Sequence, residues 1–169
     1  MTVSFEEFIL KKASASNFTI GLPDSEDVRT LNAARFAVDN AVFNPKLIGN
    51  QYNIERLAAD NEIPLDDIEI IDPQTYNELE NFIRQFYDKR KHKGLSLDDS
   101  KHYLLNPLYF AGMALHSSML EAVVAGSSST TANVVKAALQ TVGTSKSNGL
   151  VSSFFLMTTP DNKDCFCFA

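Results

Sequence analysis

Short apolar runs alternate with longer segments in which apolar residues recur at helical spacing. The pattern predicts strands at residues 18–22, 46–50, 68–71, 123–125, 150–157 and 165–168. It predicts helices at residues 5–12, 28–43, 52–60 and 76–93, after Ser96, from Pro107, and between the loop at 126–131 and Val142. Because strands separated by long helices pair in parallel, the sequence predicts an α/β protein whose sheet is covered on both faces.

Several local signals set the expected boundaries of these elements. The acidic segment 24–27 is predicted to cap the helix that follows it. This role explains why acidic residues cluster there, without the need for a metal-binding site. Asn44-Pro45 is predicted to end that helix, and Gly94 to end the helix that carries the basic run. The last two strands are expected to be joined by a turn at residues 159–162. A chain that closes on an apolar strand suggests that more sequence should follow.

Composition narrows the class of protein. The chain has 169 residues, 44% of them hydrophobic, and no apolar run long enough to span a bilayer. The acidic amino terminus lacks the features of a secretory signal, so we expect a cytoplasmic protein. Cys165 and Cys167 are too few for a disulfide scaffold and are predicted to be buried, reduced thiols. A formal net charge of −6 argues against nucleic acid or membrane partners, so an anionic ligand needs a local basic patch.

The stretch from Val123 to Lys136 passes from an apolar run through Gly126 into hydroxyl residues and then a helical pattern. It is typical of a strand, an anion-binding loop and a helix, because a helix begins with unpaired N–H groups and a positive dipole end. The hydroxyls of residues 127–131 would add donors, and Lys136 would add charge. The alternative is that Ser129 or Thr130 is only an N-cap and that the serines form a solvated turn.

A basic run at residues 89–93 is the second candidate for anion binding. Arg90 offers the planar, two-pronged geometry that suits phosphate oxygens, and the alternative is a solvated helix end. The histidines His92, His102 and His116 show no spacing typical of metal ligands, and we expect no metal site. The sequence contains neither a serine-hydrolase elbow nor a dinucleotide fingerprint.

Taken together, several segments resemble the phosphate acetyltransferase family, also called phosphotransacetylases. The matching segments are collinear and are residues 22–31, 47–50, 90–94, 109–111, 130–133 with 138–140, and 151–157. The resemblance implies a three-layer α/β/α sandwich with a mostly parallel sheet, of the isocitrate/isopropylmalate dehydrogenase-like type. It implies one α/β domain at residues 1–149, and at residues 150–169 the first strands of a second, truncated domain.

The same resemblance implies an activity: transfer of an acetyl group between coenzyme A and inorganic phosphate in the cleft between two domains, usually of a homodimer. The coenzyme A thiolate would attack the carbonyl carbon of acetyl phosphate, with acetyl-CoA and phosphate as small-molecule substrates or products and no metal or tightly bound cofactor. The residues it implies for binding coenzyme A or phosphate are Arg90, Ser128, Ser129, Thr130, Thr131 and Lys136. The catalytic Ser-Arg pair and the carboxylate base belong to the family's second half, so no catalytic residue is assigned and the chain alone is expected to be inactive.

The chain departs from the family pattern at Lys136-Ala137, where many relatives have arginine followed by proline. Lysine keeps the charge but loses the two-pronged geometry of arginine. Residues 117–122 also lack the Gly and Asp often found before this strand, and Ser127-Ser128-Ser129 replaces more varied residues. A rival hypothesis is therefore a non-catalytic regulatory or sensor module that binds an acyl phosphate or acyl-CoA without turnover.

Overall fold

The computed structural model describes residues 4–144, 149–159 and 164–169. Its helices are α1 (Phe5–Ser14), α2 (Val28–Asp39), α3 (Gln51–Asp60), α4 (Leu79–Arg90), α5 (Leu97–Leu104), α6 (Pro107–His116) and α7 (Thr131–Thr141), and a 3₁₀ turn (Lys91–Lys93) follows α4. Its strands are β1 (Thr19–Leu22), β2 (Asn44–Ile48), β3 (Glu69–Ile71), β4 (Ala122–Val123), β5 (Phe155–Thr158) and β6 (Cys165–Phe168). Among these helices, none has the length and hydropathy required to cross a membrane.

The first four strands form one parallel sheet in the order β3-β2-β1-β4. Strand β1 lies between β2 and β4, with Gly21 opposite Lys46 on one side and Val123 on the other. The chain therefore leaves β1 towards β2 and β3, and returns after three further helices to the opposite side of β1. The expected parallel α/β sheet is confirmed.

Apolar side chains cover both faces of this sheet and form the three-layer arrangement. Successive strand residues point to opposite faces, so Leu47 packs with α2 and α3 while Ile48 packs with α4, α5 and α6. The core between the sheet and helices α2 and α3 contains Leu22, Leu31, Ala34, Leu47, Ile54, Ala58, Ile63 and Ile68. The core on the opposite face of the sheet contains Ile48, Ile71, Leu79, Phe82, Ile83, Phe86, Leu104, Tyr109, Phe110, Ala111, Met113, Ala114, Leu120 and Ala137.

The end of α2 differs from the prediction. The helix ends at Asp39, and Asn44-Pro45 belongs to β2 instead of terminating the helix. The backbone closes through Val42 N–H to the Ala37 carbonyl at 2.8 Å, with Ala41 in the left-handed region at φ +49°. This is the hydrogen-bond pattern of a Schellman end, but without its usual glycine, which explains why the sequence did not indicate it.

Strands β5 and β6 form a separate antiparallel pair with Phe155 opposite Phe168. Both strands were predicted, although the first was expected to begin at residue 150 and begins at Phe155. Of their predicted turn, only Thr159 lies within the described residues. Every residue of both strands is exposed, so the predicted burial of Cys165 and Cys167 is wrong. The apolar pattern suggested a covered strand, but the pair is not buried by any other described element. The domain boundary at residue 149 stays a prediction.

Candidate functional site

A cleft opens at the carboxyl edge of the parallel sheet, where β1 lies between β2 and β4. In open α/β sheets, this point of reversal in strand order is where ligands bind. One part of the cleft, which we call the serine part, has a volume of about 240 Å³ and is lined by Pro23, Asp24, Glu26, Gly49, Asn106, Pro107, Leu108, Ser128, Ser129 and Asn133. The neighbouring lysine part, of about 220 Å³, is lined by His102, Tyr103, Asn106, Leu108, Tyr109, Asn133 and Lys136.

The loop between β4 and α7, residues 124–130, will be called the serine loop. It turns at Gly126, whose φ of +113° lies in a region that side chains other than glycine rarely adopt. The turn directs the N–H groups of Gly126 and Ser127 towards Asp24, which follows β1. The predicted order of a strand, a loop and a helix is therefore present, although β4 is only two residues long.

The donors of the serine loop are occupied by a carboxylate of the same chain. Asp24 Oδ2 accepts hydrogen bonds from the N–H groups of Gly126 at 2.6 Å and Ser127 at 3.0 Å. Asp24 Oδ1 accepts from the hydroxyls of Ser129 at 2.5 Å and Ser128 at 3.2 Å. The loop thus binds an anion as its sequence indicates, and in this structure the anion is the side chain of Asp24.

The hydrogen bonds also determine the charge of Asp24, which is 6% exposed. Burial alone would raise the pKa of this carboxyl group. The bonds from Ser129, Gly126, Ser128 and Ser127 act in the opposite direction and together hold the pKa below its ordinary value. Asp24 is therefore a buried carboxylate that is ionised at neutral pH and is compensated by hydrogen-bond dipoles, with no basic side chain paired to it among the described residues.

The segment 24–27 does not act as one acidic cap, contrary to the prediction. Only Asp27 caps α2, by accepting a hydrogen bond from Arg29 N–H at 2.9 Å. Ser25 instead joins two strand ends, since its hydroxyl donates to the Leu22 carbonyl and accepts from Ile48 N–H at 3.0 Å. These contacts fix the chain on either side of Asp24, so that its carboxylate is held in one position.

Helix α2 is also tied directly to the serine loop. The Arg29 guanidinium donates to the Ser127 carbonyl, and Thr30 Oγ1 lies 2.9 Å from Ser127 Oγ. Arg29 is in addition paired with Asp27. Together with the bonds to Asp24, these contacts hold the loop from two sides.

The threonines at the start of α7 have a local role. Thr130 is the N-cap, and its hydroxyl oxygen accepts from Asn133 N–H at 3.3 Å. Thr131 is the first helical residue and is exposed. Thr130 is thus an N-cap, as the alternative proposed, and neither threonine is among the described residues that line the two parts of the cleft. Ligand binding by Ser128, Ser129, Thr130 and Thr131 stays a prediction.

Lys136 lies on α7 and is an exposed cation at the wall of the lysine part. The rings of Tyr103 and Tyr109, 4.7 Å apart, form another wall, and His102 lies beside them. Burial raises the pKa of Tyr109, while the positive charge of Arg90 acts in the opposite direction. Among the described residues, Lys136 lines the lysine part and Arg90 does not, so the structure places one of the two predicted cations at this wall.

The basic run at the end of α4 has several different environments. Lys91 pairs with Asp88 at 2.7 Å, and Lys89 Nζ lies 3.2 Å from the His116 ring. Gly94 ends the run in the left-handed region at φ +84°, as predicted. Arg90 is half-buried, and its positive charge acts to lower the pKa of Tyr109. Within the described residues, no group of three or more His, Cys, Asp or Glu side chains is arranged to hold a metal ion.

The sequence profile of the phosphate acetyl/butaryl transferase family matches residues 4–169. The chain belongs to this family. The resemblance noted in the sequence is thereby confirmed. The phosphate acetyltransferase of Acetivibrio thermocellus is 35% identical over 159 residues, which cover 94% of this chain and 47% of that protein. The phosphate acetyltransferase of Treponema pallidum is 35% identical over 158 residues, or 93% of this chain and 47% of that protein.

Solved structures agree with the sequence relatives. The EutD phosphotransacetylase from Staphylococcus aureus superposes with a TM-score of 0.80 at 26% identity, over 94% of this chain and 47% of its own. A phosphotransacetylase from Streptococcus pyogenes has a TM-score of 0.86 at 24% identity over 95% of this chain and 48% of its own, which supports the fold. The chain spans about half the length of the relatives it matches.

Several residues of the cleft were missed by sequence reasoning. Asp24 was interpreted as a helix cap, and Asn106, Tyr103 and Tyr109 were not considered as cleft residues. A local signal existed for Asn106, because it precedes Pro107 and its side chain caps α6 by accepting from Leu108 N–H at 2.9 Å. No local signal distinguishes the two tyrosines from core aromatic residues.

Proposed function

We propose that this chain forms the phosphate-binding and coenzyme A-binding side of an acyltransferase cleft, in a protein that moves an acetyl group between coenzyme A and inorganic phosphate. The observation that supports the proposal is the lysine part of the cleft, where Lys136 forms part of the wall next to the serine part, in a chain of the phosphate acetyl/butaryl transferase family. Lys136 and Arg90 are the side chains proposed to bind phosphate groups.

The proposed reaction is a direct acyl transfer. The coenzyme A thiolate attacks the carbonyl carbon of acetyl phosphate, a carbon–sulfur bond forms, and the carbon–oxygen bond to phosphate breaks to release inorganic phosphate. Negative charge develops on the carbonyl oxygen and on the leaving phosphate, so fixed cations and oriented donors stabilise the transition state. We assign binding roles in this chain to Lys136 and Arg90, and we propose that the edge formed by Ser128, Ser129, Thr130 and Thr131 contacts the substrate. The catalytic base and the Ser-Arg pair are not assigned to residues of this chain.

The remaining properties are proposals from the same relationship. Acetyl-CoA, acetyl phosphate and phosphate are the proposed small-molecule partners, with no metal and no tightly bound cofactor. We also propose a homodimer and a cytoplasmic location. The two α/β parts suggested by the sequence, at residues 1–149 and from residue 150 onward, would form the two walls of the cleft.

The test is binding of coenzyme A and of inorganic phosphate to the purified protein, measured by isothermal titration calorimetry. Lys136→Ala and Arg90→Ala should each weaken coenzyme A binding roughly five- to ten-fold, since an exposed charge-assisted contact to phosphate contributes about 1 kcal/mol. Lys93→Ala removes the same charge from an exposed position in the basic run and serves as the matched control. Equal affinities for all four proteins would refute the assignment of both cations.

An enzymatic assay separates the two hypotheses for function. Mixing acetyl phosphate and coenzyme A with the complete protein, which includes the proposed second domain, should produce the acetyl thioester, which is followed by its ultraviolet absorbance; the 169-residue chain alone is expected to form none. Binding that depends on Lys136, without thioester formation by the complete protein, would favour the regulatory or sensor module over the enzyme. Ligand-induced thermal stabilisation then measures the strength of that binding.

A further inference from the structure

The two parts of the cleft differ in charge and in hydrogen-bonding character. Among the described residues that line the serine part, Asp24 and Glu26 are carboxylates and none is a lysine, arginine or histidine. The lysine part is lined by Lys136 and His102 and by no carboxylate. Asn106, Leu108 and Asn133 line both parts, so a ligand that fills the whole cleft would contact two chemically different environments.

The hydroxyl protons of Ser128 and Ser129 add to the difference in hydrogen-bonding character between the two parts of the cleft. A serine hydroxyl has one proton to donate and two lone pairs to accept with. Ser128 and Ser129 both donate that proton to Asp24 Oδ1, and the N–H groups of Gly126 and Ser127 donate to Asp24 Oδ2. The two serine oxygens retain only lone pairs for a ligand. Fully deprotonated phosphate oxygens also offer only lone pairs, so they cannot form hydrogen bonds with these two serine oxygens, and the carboxylates of Asp24 and Glu26 repel them.

We propose that Asp24 makes the serine part of the cleft a binding site for neutral hydrogen-bond donors and excludes phosphate from it. The chemical group that fits is an amide N–H or an alcohol of the kind present in the pantetheine arm of coenzyme A, accepted by the oxygens of Ser128 and Ser129. Phosphate groups are thereby directed to Lys136. The assignment of coenzyme A to this cleft rests on the proposed function, and Asp24 acts as a positioning residue through the two serines.

A single substitution reverses the direction of these hydrogen bonds. In Asp24→Asn, the amide oxygen takes the place of Oδ2, because the N–H groups of Gly126 and Ser127 still need an acceptor. The amide nitrogen then takes the place of Oδ1 and donates to Ser128 and Ser129. Both serine hydroxyls are released to donate to a ligand, and one buried negative charge is removed. The variant should therefore favour an oxyanion over a neutral donor.

The test uses two probes on the 169-residue protein, inorganic phosphate and pantetheine, which is neutral and carries no phosphate. For Asp24→Asn we expect phosphate to bind at least about five-fold more tightly and pantetheine about ten-fold more weakly, the latter corresponding to one lost contact. Asp60→Asn makes the same change of charge at the exposed end of α3, outside the residues that line either part of the cleft, and should leave both affinities within two-fold. Ser129→Ala should weaken pantetheine binding and leave phosphate binding unchanged, which keeps the proposal testable if Asp24→Asn does not fold.

Each outcome decides a separate question. If the Asp24 and Ser129 variants leave the ratio of the two affinities unchanged, or if the native protein does not bind pantetheine, the proposed role of Asp24 is wrong. If phosphate shifts the amide resonances of Gly126 and Ser127 in the native protein more than those near Lys136, it is also wrong. The proposed function fails instead if coenzyme A binding is independent of both Lys136 and Arg90, whatever the Asp24 variant does.

Discussion

The contact between α6 and α7 allows a quantitative prediction, because it determines where α7 lies against the cleft. A Cβ atom added at Gly112 would lie 2.1 Å from Thr141 Oγ1, 2.9 Å from Thr141 Cβ and 3.2 Å from Thr141 Cγ2. Thr141 is fully buried, and its hydroxyl donates to the Ala137 carbonyl at 2.8 Å. Burial and this hydrogen bond hold the threonine in place, so Gly112→Ala must either displace the Thr141 side chain or push the two helices apart.

Two opposing effects determine how much Gly112→Ala lowers the free energy of unfolding. Overpacking of a well-packed core costs about 1–3 kcal/mol, while replacing glycine by alanine inside a helix contributes about 1 kcal/mol of stability. With three Thr141 atoms closer than ordinary contact, we expect the first effect to dominate. We place the overpacking cost in the upper part of its range, about 2–3 kcal/mol, so the net decrease in the free energy of unfolding should be about 1–2 kcal/mol, which lowers Tm by roughly 2–8 °C in a protein of this size.

The measurement is urea unfolding of the native protein, Gly112→Ala, Thr141→Ala and the double variant. Because Thr141→Ala removes the two outer atoms that clash, the double variant should recover about 1 kcal/mol relative to the sum of the single changes. Gly21→Ala is a useful comparison, since its new Cβ would meet the tip of the Leu120 side chain at 2.5 Å, which can move. Native-like stability of Gly112→Ala, or purely additive losses, would refute the reasoning.

Three further predictions concern other parts of the molecule. Ala41→Gly should raise the free energy of unfolding by about 0.5–1 kcal/mol in urea titrations, because Ala41 adopts a left-handed φ of +49° that glycine adopts without strain; a lower stability would contradict this. The lowered pKa of Asp24 means that its contribution to stability is complete above its unfolded-state pKa and is lost as the pH falls from there through its lower folded-state pKa, so unfolding free energies in acid should fall more steeply in the native protein than in Asp24→Asn; parallel curves would rule out the role of Asp24. Cys165 and Cys167 should react with a disulfide reagent in the folded protein as quickly as in urea, since both thiols are exposed, and protection in the folded state would be the contrary result.

The starts of the helices could be predicted because their signals are local. Ser96 forms a capping box with Asp99, Thr130 caps α7, and Asn106 precedes a proline in the first turn of α6. Helix ends were predictable only where glycine marks the left-handed residue, as at Gly94. Helices α2 and α3 close on Ala41 and Glu62, whose positive φ values are imposed by the packing of the following strand or turn. No local preference of alanine or glutamate indicates such an end.

The occupation of the serine loop by Asp24 could not be predicted for a different reason. A glycine followed by hydroxyl residues before a helix has the same local sequence whether its donors face a ligand or a side chain of the same protein. The difference depends on the sheet, in which β1 and β4 are parallel neighbours with Gly21 opposite Val123. Three residues further along each strand, this register places Asp24 beside Gly126, although the two are separated by 102 positions in the chain. Strand order and register therefore decide the chemistry of the loop, and they leave Lys136 and Arg90, on helices outside that contact, as the cations proposed to bind phosphate.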